Sequence, residues 1–317
     1  MISIAMATYN GEKYLREQLD SILAQTISDF ELIIGDDHST DSTVDILQEY
    51  SAKDLRIHYY VNPVNVGFKK NFEQVIERCQ GDYIALSDQD DIWYPFHLEY
   101  LLTHIQQYAM CCGNSELVDQ NNQSLHRNLS DSESIQFIPD DPHKWLFRVL
   151  LNGNPLQGAS MLLRADFAKR CVPIPDGVNY HDTWFTACSS MSQNGLYYAM
   201  TPAITRYRQH ANNVTQNKQT RNIFDKAHSY LQGICSKQLS TDRYQLCEEL
   251  AKYFPITYNP YYRPIATFLS HSEQHKLTIH DIKFLWDNIE NITTTKSKTY
   301  FLRKWYVWSH SVRSITT

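Results

Sequence analysis

Residues 83–93 read YIALSDQDDIW, an apolar run that ends on three aspartates within four positions, Asp88, Asp90 and Asp91. Like charges at this spacing repel one another, so the cluster asks for a cation. In an extended chain alternate residues point to one side, and Asp88 and Asp90 can face a single ligand. A pair of carboxylates suits Mg²⁺ or Mn²⁺, which complete their shells with phosphate oxygens and water. The competing reading is a solvated acidic turn that caps a helix beginning near Pro95.

Other chemistry-bearing groups follow the same pattern. Asp36 and Asp37 close a second apolar run, where they either cap a turn or accept hydrogen bonds from a ribose hydroxyl or a base N–H. Tyr9 follows the first apolar run and can stack on a base, or it is simply one of 21 tyrosines. Asp182, in YHDTW, opens a predicted helix as an N-cap or as a general base. A helix N-terminus lowers a carboxylate's pKa and keeps it ionised. His210, in RYRQH, can complete a metal shell as neutral imidazole, with Arg206 and Arg208 on diphosphate oxygens; otherwise it is a surface histidine. Lys69 and Lys70 open a helix against its dipole, which a nearby anion would relieve.

These groups need a frame that gathers them. ISIAMAT, FELIIGD, RIHYYV and DYIALSD read as buried strands, separated by the helical patterns KYLREQLDSILAQ, STVDILQEYSAK and KKNFEQVIERCQG. Leu15, Leu19, Ile22 and Leu23 share one face of the first helix, Asp41 or Ser39 caps the second, and Gly81 ends the third. Strand–helix alternation at this interval predicts an α/β fold, a parallel sheet with helices on both faces. Ligands of such sheets bind at the carboxyl ends of the strands, near a topological switch point. Three of the four strands deliver polar residues there. Farther along, helices are expected over FHLEYLLTHIQQYA, HKWLFRVLLNG and HDTWFTACSSMSQNG, and strands near MCCGNSELVD, GASMLLRA and LYYAMTPAITRYRQH. A mobile loop is expected over 119–142, and the pattern turns helical beyond about 215.

The 317 residues, 42% hydrophobic and 20% charged, can bury a real core in one large domain or two modest ones. The absence of an 18-residue apolar run excludes a membrane-spanning helix. The start, MISIAMATYNGEKYL, lacks the basic and apolar regions of a secretion signal and reads as a strand. A net charge of −6 disfavours nonspecific nucleic-acid binding. Seven cysteines, an odd number with no C-x-x-C pair, point to free thiols in a reducing cytoplasm.

Taken together, SIAMATYNGEKYLREQLDSILAQT, IIGDDHSTDST, NVGFKKNFEQVIERCQGDYIALSDQDDIW, HDTW and YRQHANN resemble the inverting family-two glycosyltransferases of the GT-A fold. Within them the chain looks most like the bacterial rhamnosyltransferase-like branch that acts on cell-surface polysaccharide. The resemblance implies a nucleotide-sugar-binding and catalytic GT-A domain over 1–215, with a mixed, mainly parallel sheet, and a helical extension over 216–317. It implies a nucleoside-diphosphate sugar donor, with a lean towards rhamnose, a Mg²⁺ or Mn²⁺ cofactor, and a lipid-linked glycan hydroxyl as acceptor. By position, Tyr9 would stack on the base and Asp37 would bind it, with Lys70 and Asp88 also in the nucleotide site. Asp90, with Asp88 and His210, would hold the metal, and Asp182 would deprotonate the acceptor. His181, Trp184 and Arg208 would contact acceptor or diphosphate. Two departures stand out: His181-Asp182 replaces the commoner Glu-Asp, and DDHS replaces DDGS, which puts His38 beside the nucleotide.

Residues 296–317 carry five Lys/Arg and no acid, interleaved with Tyr300, Phe301, Trp305, Tyr306 and Trp308. That pattern suits a helix lying on the inner, anionic face of the cytoplasmic membrane, or one packed on its own domain or on a homodimer partner. Competing readings of the whole chain are the same chemistry with a UDP-hexose, and a noncatalytic nucleotide-sugar-binding assembly subunit. A base-like Asp182 argues against the latter. A nucleotidyltransferase would show a glycine-rich phosphate loop, and ATYNGEKYL has one glycine.

Overall fold

Strand β1 (Ile2–Thr8) is buried along almost its whole length because helices cover both of its faces. The structure, a computed structural model, describes residues 1–131, 141–210, 237–274 and 278–292. Ile2, Ile4 and Met6 pack towards Leu15, Leu19 and Ile22 of α1 (Leu15–Leu23), while Ala5 joins the core on the opposite face. Each fully buried aliphatic side chain of this kind contributes roughly 1.5–3 kcal/mol. The alternation then continues as expected through β2 (Phe30–Asp36), α2 (Thr43–Lys53), β3 (Ile57–Val61), α3 (Phe68–Arg78) and β4 (Tyr83–Ser87).

These four strands lie in the order β3-β2-β1-β4, all parallel, with Thr8 opposite Asp36 and Met6 opposite Ser87. The chain leaves β1 towards β2 on one side and returns to it as β4 on the other. That reversal is the switch point at which strand ends splay and open a crevice. Local caps differ from the sequence reading. The cap position of α2 is Ser42, without a side-chain cap bond; Asp41 just before it accepts the Thr43 N–H at 3.0 Å, and Ser39 bonds back to Asp36. Helix α3 stops at Cys79, before Gly81.

The second half builds a mixed extension: β5 (Ile92–Trp93), α4 (His97–Ile105), β6 (Met110–Val118), β7 (Ser124–Asn128), α5 (Trp145–Leu151), β8 (Met161–Arg164), α6 (Ala165–Arg170), α7 (His181–Met191) and β9 (Leu196–Arg208). Strand β8 runs antiparallel between β4 and β6. Strand β9 is parallel to β6 and antiparallel to β5. The mobile loop expected over 119–142 is corrected for its first half. Asp119 accepts the N–H groups of Asn121 and Gln123, which closes a tight turn into β7, and a short helical turn follows at Leu129–Asp131. Residues 132–140 lie outside the described residues.

Adjacent Cys111 and Cys112 point into opposite cores, as neighbours on a strand must, so no bond joins them. Among the described residues six cysteines are free, all buried. Helices α8 (Lys237–Tyr253), α9 (Tyr262–Glu273), α10 (Ile279–Asp287) and α11 (Ile289–Ile292) place Leu250, Ile265, Phe268 and Leu285 in one core with Trp145, Phe147 and Trp184. Among the described residues no helix is long and apolar enough to cross a membrane. The expected boundary near 215 and the segment 296–317 lie outside the described residues.

Candidate active site

Leaving β4, residues Asp88 to Asp91 run along the crevice rim. Gln89 points away from the two aspartates that flank it and clasps the loop after β1. Its Oε1 accepts the Tyr9 N–H at 2.9 Å and its Nε2 donates to the Tyr9 carbonyl at 3.0 Å. Gly11 makes room for this, since a Cβ there would lie 2.3 Å from Gln89 Oε1. The Tyr9 ring stays 47% exposed. Asp91 turns inward, where its carboxylate accepts the Gln157 amide at 2.8 Å and the Arg208 N–H at 3.0 Å. Burial, with Asp90 and Asp88 beside it, pushes the Asp91 carboxyl well above the usual range.

Asp88 lies within electrostatic reach of both Asp90 and Asp182. Burial first, then the charges of Asp90 and Asp182, push the Asp88 carboxyl up to about 7. Asp182 sits in the first turn of α7 as its second residue; the cap position is Tyr180. The expectation that the helix end would depress its pKa is corrected. Burial outweighs the hydrogen bonds from Thr183 and Asn154 and raises Asp182 to about 6. Asp90 Oδ2 lies 2.8 Å from His210 Nε2, and the His210 ring leans on Tyr14 with centroids 4.9 Å apart.

This donor set fits a hard divalent cation. Asp88 is raised first by burial and then by the charges of Asp90 and Asp182, which a cation would offset, and carboxylate oxygens are what Mg²⁺ and Mn²⁺ prefer. Among the described residues no group of three or more His, Cys, Asp or Glu side chains is set to hold a metal alone. A site that borrows phosphate and water oxygens needs only one or two carboxylates from the protein.

Four expected contacts are placed elsewhere. Arg208 is 1% exposed, and its guanidinium donates to the Asp90 carbonyl at 2.8 Å, the Gln120 carbonyl at 3.1 Å and Glu17 Oε2 at 2.8 Å. It clamps the aspartate loop to α1 and to the β6–β7 turn, and does not face a diphosphate. Trp184 is fully buried one turn after His181, with its indole N–H on the Cys171 carbonyl at 2.6 Å. His181 is 8% exposed, and burial holds it neutral with a pKa lowered to about 4. Lys70 pairs with Glu73 at 2.5 Å, and Lys69 donates to the carbonyls of Asp176 and Val178. The helix-dipole conflict is thus relieved within the chain, without an anion.

Asp37 is buried beneath the rim, where it accepts the Asn62 amide at 3.0 Å and the Val66 and Gly67 N–H groups at 2.8 Å each. That uses three of roughly four lone-pair positions on a carboxylate. His38 adopts φ +67°, a left-handed conformation that explains why glycine is commoner there; its ring bonds to the Asn62 carbonyl. Sequence reading gave no separate role to Gln89 or Asp91 within the cluster and missed Gln157 and Glu17. For Gln89 a signal existed: if the flanking aspartates share one face, the residue between them must point the other way.

A family model described as Glycosyl transferase family 2 matches residues 3–169. The chain is 28% identical over 222 residues to TuaG of Bacillus subtilis (strain 168), a glycosyltransferase assigned provisionally to teichuronic acid biosynthesis; the match covers 69% of this chain and 82% of that one. It is 30% identical over 215 residues to the dTDP-rhamnosyl transferase RfbG of Shigella flexneri, covering 66% of this chain and 72% of that one. In three dimensions it resembles residues 1–349 of S. aureus TarS, crystallised in complex with UDP-GlcNAc. The TM-score is 0.57 at 15% identity, over 99% of this chain and 91% of the other.

Proposed function

The chain is a glycosyltransferase of family 2 with the GT-A fold, and from that premise we propose that it moves a sugar, with inversion, from a nucleoside-diphosphate sugar to a hydroxyl of a bacterial surface polysaccharide. The observation that carries this reading is buried Asp88 at the switch point, within electrostatic reach of Asp90 and Asp182 and raised to about 7, with buried Asp182 raised to about 6. Tyr9 offers an exposed ring for the base to stack on, and Asp37 offers its remaining lone pair to a base N–H. Asp90 and Asp88 would hold Mg²⁺ or Mn²⁺, with His210 on Asp90 Oδ2 beside them. When bound, that ion supplies positive charge to the departing diphosphate.

Asp182 takes the acceptor proton while that oxygen attacks the anomeric carbon on the face opposite the leaving group. One such displacement inverts the centre. A base of pKa about 6 is ionised at neutral pH and still basic enough to share the proton in the transition state. The rhamnosyl reading draws support from RfbG, and the UDP-hexose alternative from the UDP-GlcNAc complex of TarS. The name of TuaG supports a surface polysaccharide as product.

A donor panel tests the reading. The purified protein is given dTDP-rhamnose, UDP-glucose and UDP-GlcNAc with polysaccharide precursor, and free nucleoside diphosphate is measured with and without EDTA. One donor is expected to be consumed, with activity lost to EDTA and restored by Mn²⁺ or Mg²⁺. Binding without release from any donor would leave only the assembly-subunit alternative. For a lipid-linked acceptor, the basic and aromatic segment 296–317 would hold the enzyme at the membrane. Full-length protein is then expected to float with anionic liposomes and a chain ending at 295 to stay at the bottom; equal flotation removes that role.

A further inference from the structure

Four rings stand in file from the core to the rim beside Asp182. Phe72 lies against His181 with centroids 4.2 Å apart at 27°. Phe68 meets the same imidazole edge-on at 6.1 Å and 66°, and lies offset from Tyr180 at 6.4 Å and 29°. The inner two are buried, and the outer two, Phe68 and Tyr180, are each 36% exposed. Both outer rings are carried on fixed backbone. Asp37 grips the N–H groups of Val66 and Gly67 just before Phe68. Lys69 donates to the Val178 carbonyl at 2.6 Å, just before Tyr180. Tyr180 also precedes Asp182 by only two residues, as the cap position of α7.

Open aromatic faces held rigid at a catalytic rim suit a ligand with one apolar face and a polar edge. An aromatic face is electrostatically negative. A pyranose ring presents C–H hydrogens of slight positive charge on its flat face, while its hydroxyls project around the edge. Stacking buries the C–H face and leaves the hydroxyls free to reach a base. A ring pair already fixed by its neighbours loses little conformational freedom when such a ligand arrives.

We propose that Phe68 and Tyr180 form the acceptor subsite, a shelf on which one pyranose ring of the acceptor glycan lies flat and presents a hydroxyl to Asp182. The inference rests on the glycosyltransfer reading above and adds to it the residues that choose the acceptor. His181 acts here as a ring, propping Phe68 from behind. A prenyl chain would also cover these rings but has no hydroxyl to deliver.

Saturation-transfer NMR on the full chain tests the shelf. The probes are methyl α-L-rhamnopyranoside, methyl β-D-glucopyranoside and methyl 2-acetamido-2-deoxy-β-D-glucopyranoside, with farnesyl phosphate in a separate arm. UDP and dTDP affinities are measured by calorimetry on the same samples. At least one glycoside is expected to receive saturation at its ring C–H protons. Phe68→Ala and Tyr180→Ala should each weaken that glycoside about tenfold, Tyr180→Phe should keep it, and nucleotide affinity should not move. Glycoside binding unchanged in both alanine variants, no glycoside bound by the wild type, a fall in nucleotide affinity instead, or a response to farnesyl phosphate alone would each overturn the shelf. Failure of the wild type to bind either nucleotide is the separate result that sinks the glycosyltransfer reading itself.

Discussion

Replacing Asp182 by Asn is expected to slow sugar transfer about 10²–10⁴-fold, the usual worth of a positioned general base, while nucleotide-sugar binding persists. The amide keeps the shape and the Thr183 contact but cannot take a proton. The pH profile gives an independent check. Burial raises the Asp182 carboxyl to about 6, so it is protonated below that pH and ionised above it. Wild-type transfer should therefore rise between pH 5 and pH 7 with a midpoint near 6, and the residual activity of the variant should lack that limb. Stability runs the other way. A carboxyl raised on folding binds more protons folded than unfolded, so the protein loses stability as pH climbs from the ordinary value of 3.8 through about 6. Asp182→Asn should thus melt higher than wild type at pH 8. Normal turnover by the variant would remove Asp182 from the chemistry.

The second large effect concerns the cation. Adding Mn²⁺ should tighten binding of a nucleoside diphosphate by the wild type, and Asp90→Ala should abolish that gain. Loss of an outer-shell partner alone costs a metal site about 10–100-fold, and removal of a direct ligand should cost at least as much. The physical reason is that a cation offsets both the burial of the Asp88 carboxylate and the charges of Asp90 and Asp182 near it. Calorimetry with and without EDTA reads the effect. An Asp90→Ala titration superimposable on the wild type would rule the residue out as a ligand.

The first hundred residues were legible because their periodicities are strong and local. Buried strands such as Ile2–Thr8 and amphipathic helices such as Leu15–Leu23 declare themselves within a dozen residues. Strand β5, two residues long, carries no pattern of its own and exists only through pairing with Arg206 and Thr205 of β9. The antiparallel insertion of β8 between β4 and β6 is likewise a tertiary choice. At the site, Asp88 and Asp90 were readable as a pair because they follow strand β4 directly at alternate positions. Arg208 and Trp184 were not, because chemistry-bearing type and a motif position do not reveal which way a side chain turns. Arg208 found carbonyl acceptors from two loops, and Trp184 fell on the core side of its helix. Lys70 shows the same limit, its partner being Glu73 three residues on.

The Arg208 clamp also bears on how the protein is made. Its guanidinium closes on Glu17 across 191 residues of chain. A ribosome adding about 5–20 residues per second takes roughly 10–40 s to cover that span. Once β4 is complete at Ser87, and until Arg208 is added, the emerging N-terminal half has all four parallel strands but not the fastener for its aspartate loop. A nascent or prematurely terminated chain therefore lacks the finished aspartate loop until translation has passed β9.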